Sequence, residues 1–225
     1  MSAVAHIKDY KKGKFYQDQF RGDISWNGYE HNVLLRNDGV GASGAPRFND
    51  VAMAAGADDI KDARGMATAD FDNDGDLDIV TNNNPGDSGQ AEKARATLLR
   101  NNVGAQRNWL AVELRGDGKR SNRDAVGALV TVETGTDKQV RLLGAGSGFA
   151  SQHTARLYFG LGEREQVSAL VVRWPSGRVE RFEKIGEQAI GSRRLVRISE
   201  GAGAEAVGLP ARQSAPAVGQ SVAAR

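Results

Sequence analysis

The chain has 225 residues, of which 40% are hydrophobic and 26% are charged, and its formal net charge is only +2. This length predicts one or two domains with a substantial core, and so small a charge excess argues against a nucleic-acid-binding protein. The absence of cysteine excludes disulfides, thiolate metal sites and cysteine nucleophiles.

The N-terminal segment, MSAVAHIKDYKKGKFY, lacks the apolar run of a secretory signal. No later stretch is long and apolar enough to predict a membrane span. If the native protein is exported, we expect its signal to lie outside this chain. Residues 1–30 are expected to be an N-terminal extension or part of an earlier propeller blade.

A repeated pattern marks the next segment, because NVLLRND from Asn32 is followed by a similar ATLLRNN from Ala96. Between the two, short runs of small or β-branched residues are separated by turn signals. They predict four strands, at Val33–Arg36, Arg47–Ala52, Ala63–Ala69 and Leu77–Thr81. Four short antiparallel strands make one propeller blade, so we expect residues 31–107 to form a propeller-type blade.

The pattern changes after Asn108, where NWLAVEL alternates between two faces as a strand does. Further strands are predicted at Ala128–Glu133, Val140–Leu143, Arg156–Phe159, Ala169–Trp174, Val179–Phe182 and Leu195–Ile198. Seven short strands with glycine-rich turns predict an antiparallel β-sandwich over residues 108–200. Residues 201–225 are rich in Gly, Ala, Pro and Ser without periodicity, which predicts a disordered C-terminal tail. The expected fold class is all-β.

An acidic stretch, ADFDNDGDLDIV, lies between the last two strands of the expected blade. A row of carboxylates so close together repels itself and needs full solvation or a cation. The spacing D-x-D-x-D-G-D-x-D matches the oxygen ligands of a calcium loop, with Gly75 at the sharp bend. Oxygen ligands alone favour Ca²⁺ over zinc or copper. The expected calcium ligands are Asp70, Asp72, Asp74, Asp76 and Asp78.

Two alternatives bear on this loop. An EF-hand would require a glutamate at position twelve between two helices, but that position is Thr81 and the flanks predict strands. We therefore expect a shorter loop within a β-hairpin, closed by Asp78. The simpler alternative is a solvated acidic turn in which aspartate side chains cap local amides. If an ion is bound, a cage saturated by protein ligands favours a structural role over a catalytic one.

Longer motifs resemble known families. ARGMATADFDNDGDLDIVTNN resembles an FG-GAP/VCBS repeat, the calcium-loop blade of integrin-type β-propellers. NWLAVELRGDGKRSNRDAVGALVTV, GSGFASQHTARLYFGLGE and VVRWPSGRVERF together resemble the ASPIC/UnbV domain. The order of the two is similar to the C-terminal part of the cartilage acidic protein 1-like family, over about residues 15–190. In that family the resemblance implies a full propeller of about seven blades followed by the small domain. This sequence, in contrast, predicts only one blade.

The resemblance implies a calcium-binding, non-catalytic interaction or adhesion module that is secreted or periplasmic. Its expected partner is a protein or a glycan, and not a nucleic acid. Self-association, or propeller blades from another chain, would cover the edges of a lone blade. The alternative is an enzyme or accessory protein of natural-product biosynthesis, because the UnbV name is linked to bacterial gene clusters for enediynes.

A glycine-rich part of the ASPIC/UnbV resemblance, GSGFASQ, supplies weaker candidates. Ser147, Ser151 and Gln152 are candidates for a polar ligand surface. The alternative is a connection that satisfies its own backbone, and we favour it. The nearby His153 has no local nucleophile or acid that would predict a catalytic triad.

The segment SNRDAVGA belongs to the same resemblance and offers two further candidates. Asn122 and Asp124 could form a second oxygen site. Alternatively, Arg123 and Asp124 could form a structural ion pair that fixes the loop, and we favour this structural interpretation.

Overall fold

The computed structural model describes residues 31–61, 63–83 and 96–209. Within these ranges the fold is all-β, as predicted, with one short helix, α1 (Ala52–Ala55), and one 3-10 turn (Gly104–Gln106). The strands are β1 (Leu35–Val40), β2 (Pro46–Asp50), β3 (Ala63–Ala69), β4 (Asp78–Asn83), β5 (Thr97–Leu99), β6 (Asn108–Arg115), β7 (Leu129–Thr134), β8 (Asp137–Leu142), β9 (Leu157–Gly162), β10 (Gln166–Val167), β11 (Ala169–Arg173), β12 (Val179–Phe182), β13 (Lys184–Ile185), β14 (Gln188–Gly191), β15 (Arg194–Ser199) and β16 (Gly203–Val207). The expected N-terminal extension, residues 1–30, lies outside the described residues.

The described residues form two compact units. One comprises the residues up to Met66 together with Val80–Leu99, and the other comprises Ala67–Ile79 and the residues from Arg100 onward. In the first unit, β1 and β2 form a two-stranded antiparallel sheet. A further sheet has the strand order β3-β4-β5.

A four-stranded propeller blade is not confirmed, because the predicted strands divide between these two sheets. The predicted strand Arg47–Ala52 ends early, at Asp50. The reason is local, since the Asp50 carboxylate accepts the Ala52 N–H at 2.9 Å and so turns the chain into α1. Gly56 then ends this helix in the left-handed conformation, with φ of 68°.

The β-sandwich is built from two four-stranded sheets of the second unit, in the orders β12-β11-β7-β8 and β16-β15-β6-β9. The first of these sheets is antiparallel throughout. In the second, β6 pairs antiparallel with β9 but parallel with β15, where Arg197 lies opposite Glu113. The prediction of a purely antiparallel sandwich is therefore wrong for this pair, because the chain reaches β15 through a long crossover instead of a hairpin. A small sheet, β10-β14-β13, completes the unit.

The two large sheets share one hydrophobic core. Strands β6, β7, β9, β11 and β15 each contribute alternate buried side chains, which is the period-two pattern of a sandwich. Trp174 belongs to this core and is only 2% exposed, and its Nε1–H donates a hydrogen bond to Glu180. The core includes Leu110, Val112, Val130, Val132, Phe159, Leu161, Leu170, Val172, Val196 and Ile198.

The predicted disordered tail is wrong for its first part. Gly203–Val207 form β16, which pairs antiparallel with β15 at the edge of the second sheet. Ala204 packs against the core from this strand. Glycine and alanine have low strand propensity, and here the backbone ladder to β15 supplies the pairing that the side chains do not predict. The rest of the predicted tail, residues 210–225, lies outside the described residues.

Candidate metal centre

The acidic loop between β3 and β4 lies in the second unit and bends sharply at two residues. Asn73 and Gly75 both have positive φ, 57° and 101°. A Cβ at Gly75 would lie 1.8 Å from Cε2 of Trp109, a buried residue of β6. Glycine is therefore required here both by the backbone conformation and by the close approach of the loop to the indole.

Three of the five predicted ligands converge. Asp70, Asp72 and Asp78 each offer a carboxylate oxygen, and these three atoms lie within 4.8 Å of one another. Asp72 and Asp78 are buried, and Asp78 is only 1% exposed. The other two predicted ligands, Asp74 and Asp76, are not part of this group of three.

Asp70 is held in place by three donors. Its Oδ1 accepts the backbone N–H of Asp74 at 3.0 Å, and its Oδ2 accepts that of Gly75 at 3.0 Å. Tyr158, on β9, donates its hydroxyl to the same Oδ2 at 3.2 Å. Burial raises the pKa of Asp70, and the three donors partly oppose this effect.

Asp78 connects the loop to the segment that precedes β6. Its Oδ2 accepts the Phe71 N–H at 3.0 Å, and its Oδ1 accepts the Asn101 N–H at 2.8 Å. Each oxygen therefore has one backbone donor and retains a second lone pair. The side chain is consequently fixed in direction while still able to act as a ligand.

Asp76 also contacts the segment that precedes β6. Its Oδ2 accepts the Ala105 N–H at 2.8 Å, whereas its Oδ1 is buried and has no hydrogen-bond partner among the residues that the structure describes. Burial raises the pKa of Asp76 to about 6, and repulsion from Asp74, Asp78 and Asp70 adds to the shift. A buried carboxylate oxygen without a donor is costly unless a cation or a proton neutralises it.

Arg100 lies at the edge of the acidic loop. Arg100 Nη1 lies 3.9 Å from Asp72 Oδ2, at the outer limit of an ion pair, and its side chain is 41% exposed. Asp74 accepts the Asp76 N–H at 3.2 Å through Oδ1. A partly solvated ion pair of this length contributes little. The residues therefore fit a hard divalent cation, which Asp70, Asp72 and Asp78 could hold.

Sequence reasoning missed the residues that support the loop from a distance. Tyr158 is 88 residues from Asp70 in the chain, and its pKa is raised to about 12 by burial first and by Asp70 second. Trp109 shapes the loop only because β6 passes beneath Gly75. Both occur in strand patterns that predict core positions, so no local signal links them to the aspartates.

The weaker candidates in the glycine-rich segment mostly satisfy their own backbone. The Ser151 hydroxyl donates to the Ser147 carbonyl at 2.8 Å, and the Ser147 N–H donates to the Ser151 carbonyl at 3.4 Å. Gln152 is exposed. The structure thus brings Ser147 and Ser151 together as a closed turn.

Asn122 caps its own loop, because its Oδ1 accepts the Val126 N–H and its Nδ2 donates to the Val126 carbonyl, both at 2.8 Å. Asp124 is exposed. Among the ion pairs between described residues, none joins Arg123 to Asp124, so the expected structural pair is not found. The loop is instead fixed by Asp117, whose Oδ1 accepts three consecutive backbone N–H groups, from residues 119 to 121.

Comparison with known families supports the sandwich part of the resemblance. Residues 118–204 match the family described as ASPIC and UnbV. This part of the chain is similar to the ASPIC and UnbV family. The match begins in the loop after β6 and ends in β16, so the matched region includes most strands of both large sheets.

Part of this chain is also similar to curated proteins from three animals. Cartilage acidic protein 1 from Mus musculus is 31% identical over 115 residues, which is 51% of this chain and 17% of the relative. The Xenopus tropicalis and Homo sapiens proteins of the same name are 31% and 30% identical, over 16% of their lengths. The chain thus spans about a sixth of the curated relatives that it matches. A solved structure from Bacteroides uniformis aligns with 58% of this chain and 57% of its own, at 15% identity and a TM-score of 0.25.

The FG-GAP/VCBS resemblance of the loop region stays a prediction. Within the described part of the chain, no helix has the length and apolar character needed to cross a membrane.

Proposed function

We propose that this chain is a non-catalytic interaction module in which the acidic loop binds one structural Ca²⁺. The observation that carries the proposal is the convergence of Asp70, Asp72 and Asp78. The buried Oδ1 of Asp76, whose carboxylate is repelled by Asp78 and Asp70, adds to the negative charge of the loop. All candidate ligands are oxygens, which is the ligand set that calcium prefers. When bound, the ion would supply positive charge that offsets the repulsion among the carboxylates.

A structural role follows from what the aspartates hold besides an ion. Asp78 and Asp76 accept backbone N–H groups of residues 101 and 105, and Asp70 accepts the hydroxyl of Tyr158 from β9. The loop thus joins the segment that precedes β6 to strand β9 within the second unit. An ion that keeps these carboxylates charged and close would stabilise the native state alone, by mass action.

An extracytoplasmic location is part of the proposal. External calcium is millimolar, so even a loop of modest affinity would stay filled there. The partner is proposed to be a protein or a glycan that contacts loops presented by the rigid sandwich. Self-association, or completion of a propeller by another chain, stays a prediction.

The alternative function, in enzymatic natural-product assembly, has one observation in its favour. Ser147 and His153 both line a cavity in the second unit. The His153 Nδ1, however, accepts the Thr68 N–H at 3.0 Å, and no described contact pairs His153 with a serine hydroxyl. Without a nucleophile beside a base, a binding role is better supported than a catalytic one.

The test is a melting experiment on chelated protein with and without added CaCl₂. At free calcium 100-fold above the dissociation constant, the expected stabilisation is about 2.7 kcal/mol, which raises the Tm by roughly 5–10 °C. Magnesium at the same concentration should have a smaller effect, because it resists dehydration and demands a tighter octahedral cage.

Asp72→Asn should abolish most of the calcium-dependent rise in Tm. Asp124→Asn is the matched control, because Asp124 is an exposed aspartate elsewhere in the same unit. An equal calcium response in wild type and Asp72→Asn would contradict the proposal.

A further inference from the structure

A cavity of about 420 Å³ lies wholly within the second unit, beside the sandwich. Its lining comes from the end of β8, the glycine-rich segment that follows it, the start of β9 and the edges of the acidic loop. The volume is within the usual range for small-molecule sites, about 300–1,000 Å³. Neither the proposed role of the acidic loop nor the family match assigns a function to this cavity.

The charged side chains of the lining are all of one sign. Arg141 and Arg156 line the cavity, and no aspartate or glutamate appears among its described lining residues. Arg141 lies over the buried ring of Phe159, with its Cζ 5.5 Å from the ring centroid. None of the ion pairs between described residues includes Arg141, so its charge is not offset by a protein carboxylate.

Arg156 is only weakly paired. Its Nε lies 4.0 Å from Glu113 Oε2, while the other oxygen of Glu113 accepts the Arg197 Nε–H at 2.8 Å. The Nη1 of Arg156 lies 3.5 Å from Asn73 Oδ1. Arg156 also donates a hydrogen bond to the Tyr158 hydroxyl. Glu113 is thus shared between arginines, and the Arg156 guanidinium, with five N–H groups, has donors beyond these contacts.

The remaining polar groups favour an acceptor as ligand. His153 Nδ1 accepts the Thr68 N–H at 3.0 Å, so a neutral ring carries its proton on Nε2 and is a donor there. The hydroxyl of Tyr158 already donates to Asp70. The cavity therefore offers mainly N–H donors and positive charge, which suit an oxyanion better than a neutral polyol.

The other face of the cavity is apolar. Leu77, Leu142 and Leu157 line it together with Val140. Leu142 and Val140 are exposed, whereas Leu157 packs into the sandwich core beside Phe159.

We propose that this cavity binds a small organic anion. The oxyanion head, a carboxylate or a sulfate, is held by Arg141 beside the ring of Phe159, with Arg156 adding positive charge. The apolar body lies against Leu157, which is on the same face of β9 as Phe159. The inference does not depend on calcium in the acidic loop, and its test is run with calcium present in every sample.

The probes are phenylacetate, its neutral isostere phenylacetamide, and acetate, titrated into the full chain and followed by amide chemical shifts. Phenylacetate should shift the amides of Gly144, Ser147 and His153 in a saturable manner. Phenylacetamide, which lacks the charge, should bind roughly tenfold more weakly, a difference of about 1.4 kcal/mol. Acetate, which lacks the apolar body, should also bind more weakly. Phenyl sulfate distinguishes the two oxyanion heads.

Two variants locate the site. Arg141→Gln should weaken phenylacetate binding roughly tenfold, whereas Arg173→Gln, which removes an exposed arginine outside the lining, should leave it unchanged. The proposal is overturned if phenylacetamide binds as tightly as phenylacetate, if Arg141→Gln binds like the wild type, or if no saturable shift appears at these amides.

Discussion

Gly75 shows how a single residue determines the shape of the acidic loop. It combines a φ of 101° with a position where a Cβ would lie 1.8 Å from Cε2 of Trp109. The indole is buried in β6 and cannot move aside without disturbing the sheet. The spacing of the aspartates predicted that Gly75 lies at a sharp bend. No local pattern indicated that the Trp109 indole lies against it.

Gly75→Ala should lower the free energy of unfolding by more than about 3 kcal/mol, because left-handed strain and overpacking act together. The matched control is Gly135→Ala, in the turn between β7 and β8, where φ is also positive at 63° but a Cβ meets nothing within 4 Å. That change should cost only about 1 kcal/mol. Urea unfolding in saturating calcium measures both, and equal losses would show that the Trp109 contact is unimportant.

The second sheet of the sandwich shows what strand patterns can and cannot predict. Alternation predicted both β6 and β12, and exposure does alternate along β12. In β6 both faces are buried, with Leu110 and Val112 in the sandwich core and Trp109 on the opposite face. Alternation failed for β16, whose small residues carry little pattern. It also gave no sign of the parallel pairing between β6 and β15, because register and direction depend on residues far apart in the chain.

That parallel pair carries a testable ion pair. Arg197 Nε donates to Glu113 Oε1 at 2.8 Å directly across the two strands, and this bond holds the pKa of Glu113 below its ordinary value. Because the pKa of Glu113 is lowered in the folded state, the ion pair stabilises the fold at pH values above the ordinary glutamate pKa. This stability is lost as the pH falls through the lowered pKa. Glu113→Gln should therefore destabilise by about 1 kcal/mol at pH 7 and by progressively less below about pH 4.

Glu205 provides the control for this prediction. It also pairs with Arg197, with 3.3 Å between Arg197 Nη1 and Oε1, but its side chain is 65% exposed. Glu205→Gln should change stability little at any pH, because solvent screens the pair. Thermal melts from pH 7 to pH 3 compare the two variants, and a pH-independent loss in Glu113→Gln would contradict the assignment.

On the scale of the whole molecule, the all-β class, the sandwich and the acidic loop were predicted from the sequence. The propeller blade was not confirmed, because local strand patterns do not determine which strands pair. The cavity and the support of Asp70 by Tyr158 were not predicted, since both bring together residues from distant strands. The aspartate spacing, by contrast, is a local pattern, and local patterns are what a single sequence reveals.

The aspartates also connect the loop to the rest of the second unit, which predicts how calcium affects its dynamics. Removing calcium should speed amide exchange at Asn101 and Ala105, whose N–H groups donate to Asp78 and Asp76. Exchange at Val130 and Val172, in the sandwich core, should change much less. Hydrogen exchange of chelated and calcium-loaded protein measures this, and a uniform change across all four sites would argue for global instead of local loosening.

The most direct test of calcium binding by the acidic loop is a crystal structure from crystals grown in millimolar calcium. Anomalous diffraction would be collected at a long wavelength. The account predicts one anomalous peak bonded by carboxylate oxygens of Asp70, Asp72 and Asp78, at about 2.3–2.6 Å. A map that shows only water among these three side chains, with calcium abundant in the crystal, would contradict it.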